Sequence, residues 1–106
     1  MAKFLITGSY TAEGTKGLLK EGGSGRKAAV QKALEALGGR MESVYYTFGE
    51  HDVIVICDVP DAVTALALSL AVNATGTVHV SSTPLLSVEE VDAACKKTVS
   101  FRPAGS

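Results

Sequence analysis

The sequence predicts an α+β fold in the order β-α-β-β-α-β, with one more helix at the C-terminal end. Three observations carry that order. Runs with strand-like apolar patterning occupy 2–10, 40–48, 51–59 and 77–86. Apolar residues at helical spacing fill 25–37 and 62–74 between them. A hairpin signal at Gly49-Glu50 joins the second and third strands with no helix between them.

Each element has its own local reason. In the first strand, 2–10, Phe4 and Ile6 point one way and Leu5, Thr7 and Ser9 the other. Residues 11–21 read as a short helical turn weakened by Gly14 and Gly17, and a glycine-rich break follows at 22–25. Ser24 is the expected N-cap of a helix over 25–37, whose apolar stripe is Val30, Ala33, Leu34 and Leu37. Gly38-Gly39 closes it. In the hairpin that follows, Gly49 is expected to supply the positive φ of a tight turn, and Asp52 to bond turn backbone. Pro60 stops the third strand, and Asp61 is the expected N-cap of a helix over 62–74 that is apolar almost all round. Gly76 ends that helix before the fourth strand. Ser87-Val88-Glu89-Glu90 is a capping box opening a last helix over 88–97. An extended tail, 98–106, follows. This order is the ferredoxin-like arrangement, in which both crossover helices cover one face of a four-stranded antiparallel sheet.

The third strand sets a condition on the other face. Val53, Val55, Cys57 and Val59 line one side of it and Ile54 and Ile56 the other. A sheet with one wet face should alternate apolar with polar, so the far face needs a cover that the two helices cannot supply. A second copy is the economical cover. On that far face, Thr7 and Ser9 of the first strand lie beside His79, Ser81 and Thr83 of the fourth. Small polar groups converging beside an apolar wall describe a small-molecule site. His79 is the candidate acid/base or anchoring group, Thr7, Ser9, Ser81 and Thr83 position a ligand, and His51 and Asp52 stand at the rim.

Gly49-Glu50-His51-Asp52, with YTAEGTKGLLKEGGSGRKAAV, LALSLAVNATGTV and TPLLSVEEVDAACKK around it, resembles the GYD-domain family over nearly the whole chain. The family is similar to dimeric α/β-barrel proteins, so the resemblance implies that two ferredoxin-like subunits pair their sheets. The hairpin alone also resembles the ligand-sensing domain of Lrp/AsnC-type regulators, with no helix-turn-helix ahead of it. His51 stands where the G-x-Y-D pattern has Tyr, replacing a phenol with an imidazole that can still stack and hydrogen-bond.

Composition narrows the partners. Ten basic and eleven acidic residues give a formal charge of −1, and no Lys/Arg cluster recommends nucleic acid or an anionic membrane. Cys57 and Cys95 have neither CxxC nor zinc spacing, so a reduced, cytoplasmic setting is expected, with no metal. No apolar stretch nears the roughly 20 residues that span a bilayer, and no signal peptide follows Lys3. The glycine-rich 22–27 segment lacks the P-loop pattern. No cofactor is implied. The expected function is therefore small-molecule binding in an inter-sheet cavity of a homodimer or higher oligomer. The alternatives are a ligand-sensing or assembly module, and cofactor-free acid/base or monooxygenase-type chemistry.

Overall fold

The computed structural model describes all residues, Met1–Ser106. Its elements are β1 (Ala2–Tyr10), α1 (Ala12–Ala36), β2 (Arg40–Tyr46), β3 (Val53–Val59), α2 (Ala62–Ala74), β4 (Val78–Leu85) and α3 (Val88–Cys95). The four strands form one antiparallel sheet in the order β2-β3-β1-β4. This is the expected ferredoxin-like topology, with β1 held between β3 and β4.

The core lies between the sheet and the two crossover helices. Phe4 and Ile6 of β1 meet Val55, Cys57 and Val59 of β3, with Leu34 of α1 and Ala65 of α2 closing over them. Residues one place along each strand form the other face, as a period of two requires. There Leu5 lies between Ile56 and Thr83, and Thr7 between Ile54 and Ser81.

The helices start where side chains satisfy their first free amides. Asp61 caps α2 by accepting from the Thr64 amide at 2.8 Å, and Ser87 and Glu90 form a reciprocal capping box on α3. α1 differs from expectation. It begins at Ala12, with Thr11 rather than Ser24 as N-cap, and continues through the glycine segment. Only Gly22, at φ 75°, leaves helical geometry, so the predicted break is a single-residue kink with Ser24 inside the second arm. Thr11 prevails because its hydroxyl reaches the Gly14 amide and the carbonyls of Gly76 and Thr77 together. Tyr46 fastens the kink, donating its phenol hydrogen to the Gly23 carbonyl at 2.9 Å.

The hairpin also differs. Its connection spans 47–52, both strands being shorter than expected, and Gly49 has no positive φ. The Thr47 amide donates to the Asp52 carbonyl, and the Thr47 hydroxyl to the His51 carbonyl, which closes the loop without left-handed backbone. The positive-φ glycines are Gly22, Gly38, Gly76 and Gly105. Gly38 and Gly76 follow α1 and α2, as expected of helix ends.

Candidate functional site

The open face of the sheet gathers five of the seven expected site residues. The register pairs Thr7 with Ser81 and Ser9 with His79, while Thr83 faces Leu5. His79, Ser81 and Thr83 are exposed, and Thr7 and Ser9 are half-buried. The neighbouring rows are apolar, built from Leu5, Ile54 and Ile56. At one end of the face Asp58, buried, accepts from Arg40 at 3.1 Å and pairs with Lys3 at 3.4 Å. A register shift between Met41 and Ser43 lets Glu42 reach Lys3 at 2.9 Å. The hydrogen bond that Lys3 donates to the Glu42 carboxylate, with the Asp58 charge behind it, raises the Lys3 pKa above its ordinary 10.5.

The other two expected residues lie at the hairpin. The Asp52 carboxylate accepts from the Tyr10 amide at 2.8 Å, and the Asp52 amide donates to the Gly8 carbonyl. The Asp52 side chain thus bonds the end of β1 rather than its own turn, and Asp52 borders a cleft on the helix side with Tyr10, Thr15 and Tyr46. His51 is half-buried in the connection, its carbonyl accepting from Thr47. The Ser9 hydroxyl donates to the Glu50 carbonyl at 3.2 Å, which draws the connection over the end of β1.

A cavity of about 150 Å³ lies on the opposite side of the sheet, between α1 and α2. Its floor is Ile6, Val53, Val55, Val78 and Val80; its walls include Ala33 and Val72. Space remains there because α1 presents alanines where larger side chains would meet α2. Arg26 is the one charged group on its lining, joined by Tyr10 and Ser69. Ser69 is already engaged with the Ala65 carbonyl and with the Ser82 hydroxyl at 2.6 Å. Arg26 pairs with Glu21 at 3.3 Å across the Gly22 kink. Burial first, and the nearby Tyr10 second, push the Tyr46 phenol above its ordinary value.

Sequence reasoning missed this cavity. Its walls are ordinary apolar stripe residues, and the space depends on how far apart the helices settle. It also missed Asn73, whose amide accepts from the Val80 amide at 2.7 Å and donates to the Val80 carbonyl at 3.3 Å. The side chain thereby imitates a neighbouring strand on the outer edge of β4.

Residues 4–95 match the family model described as the GYD domain. The chain belongs to the GYD-domain family. The match runs from β1 to the end of α3 and contains both the open face and the helix-side cavity. No curated protein and no solved structure matched the chain. In this GYD domain no group of three or more His, Cys, Asp or Glu side chains is placed to hold a metal ion. No helix is long and apolar enough to cross a membrane.

Proposed function

We propose that this GYD domain is a homo-oligomeric binding protein for a small, mostly apolar molecule held between α1, α2 and the sheet. The carrying observation is the cavity itself. It is lined by valines, alanines and isoleucine with a single cation, Arg26, at its border. An aliphatic cavity of about 150 Å³ accommodates a benzene-sized body. A polar substituent on that body would reach Arg26 or the Tyr10 phenol. A negative substituent suits Arg26 best and would compete with Glu21 for the guanidinium.

The open face supports the oligomer. Its apolar rows at Leu5, Ile54 and Ile56 call for a cover, and a second sheet laid against it buries them on both copies. An Ile56→Asp substitution should then halve the assembly mass in sedimentation; an unchanged mass would refute the pairing.

Native mass spectrometry of the intact protein tests the ligand. A co-purified small molecule should be present in the wild type and lost from Ala33→Phe, which fills the cavity. A second reading places the ligand between the two sheets, favoured by the registration of Ser9 with His79 and Thr7 with Ser81. In that case His79→Ala loses the molecule and Ala33→Phe keeps it. A wild-type protein that carries no small molecule and binds no aromatic acid in calorimetric titration contradicts both.

A further inference from the structure

The C-terminal arm, α3 with the residues on either side of it, is the part of the chain that its own fold leaves uncovered. Every residue from Leu86 to Ser106 is exposed. The arm nevertheless carries large apolar groups: Leu86 is 69% exposed, Val88 74%, Val99 77% and Phe101 81%. An isolated helix of eight residues is marginal in water, even with a complete capping box. The arm draws the molecule out to 55 Å by 33 Å by 22 Å, with a radius of gyration of 16.9 Å. A compact chain of this length would have about 13 Å.

The same chain carries a second uncovered surface of matching chemistry. The outward side of α2 exposes Val63, Leu66 and Leu70, at helical spacing, with Ala67 and Ala74 among them. No charged residue occurs between Ala62 and Ala74. On α3, Val88, Val91 and Cys95 fall on one side with Asp92 at its border, while Glu89 and Glu90 lie away from it. An acidic helix with one apolar side meets no like charge on α2.

The size of the surface decides for a second copy. The chain exposes 7411 Å², against about 5,600 Å² for a compact monomer of its mass. An excess of about 1,800 Å² is roughly twice what one partner buries in a standard interface. Sheet pairing alone therefore leaves about half of it unused.

We infer that the arm of one copy docks, through the apolar side of α3, on the outward side of α2 in a second copy. By two-fold symmetry each copy gives an arm and receives one. The contact is separate from the sheet pairing proposed above and does not rest on it.

The native thiols provide the test. Cys95 in α3 is exposed and Cys57 is buried. In the full-length variants Leu66→Cys and Leu70→Cys, taken separately, mild oxidation should give a covalent two-chain species in at least one of them. Mapping should find Cys95 joined to the introduced cysteine. A disulfide within one chain, or no disulfide in either variant, overturns the inference. The mass of Leu66→Asp provides a second readout. It should fall by one step of assembly relative to the wild type, and an unchanged mass overturns the docking. If the sheets also pair, that step ends at a dimer; if they do not, it ends at a monomer, so the two proposals fail separately.

Discussion

Two glycines show how far a motif residue and an anonymous one can differ in consequence. A Cβ on Gly14 would lie 1.7 Å from the Thr77 carbonyl oxygen, which is backbone and cannot yield cheaply. A Cβ on Gly49 would meet nothing within 4 Å, and its backbone is not left-handed. Gly14→Ala should therefore cost at least about 3 kcal/mol, while Gly49→Ala stays within about 0.5 kcal/mol, as measured by urea denaturation. Gly49 draws attention through its place in the G-x-Y-D pattern. Gly14 reads only as a weak spot in a helix, because the Thr77 carbonyl it touches lies more than sixty residues away in the chain. Asp52 was legible as a backbone acceptor, but its partner, Tyr10, becomes visible only once β1 and β3 are aligned. Burial first, and the Asp58 charge next, push the Cys57 thiol above its ordinary 9.0. The native thiol thus keeps a proton that the unfolded chain releases, so stability falls as pH rises past that value. The Tyr46 and Lys3 shifts have the same sign, beginning from 10.0 and 10.5. Urea midpoints should fall between about pH 8 and pH 10, and the fall should be shallower in Cys57→Ala. An equal slope in the variant would remove Cys57 as a cause.

At the scale of elements, strands and caps were readable because their determinants are local. Alternation over nine residues fixes β1, and Asp61 or Ser87 caps a helix with bonds made inside one turn. The long course of α1 was not readable, because Thr11 draws on Gly76 and Thr77 from the far end of α2. Nor was the role of Asn73, whose partner depends on α2 lying over β4. Asn73→Ala leaves the Val80 amide and carbonyl without those bonds, so it should lower stability by about 1–2 kcal/mol. Amide exchange at Val80 should rise selectively in that variant. Unchanged exchange there would show that the clamp adds nothing to the edge.

For the molecule as a whole, the topology was legible and the imbalance of surface was not. The apolar character of β3 on both faces pointed to a partner, but the arm could not be weighed until α3 was seen apart from the sheet. Only 12 of 106 residues are buried, and the exposed area exceeds that of a compact monomer of this mass. If copies of the chain cover that area, as proposed, resistance to heat becomes a matter of mass action. A chain completed by copies of itself gains stability from every rise in protein concentration, because the unfolded form does not share the association. The calorimetric melting temperature should climb with concentration and level off at high dilution, and a melting temperature independent of dilution would mean the lone chain is the stable unit. For such a protein the amount of chain present would itself set how long each chain survives.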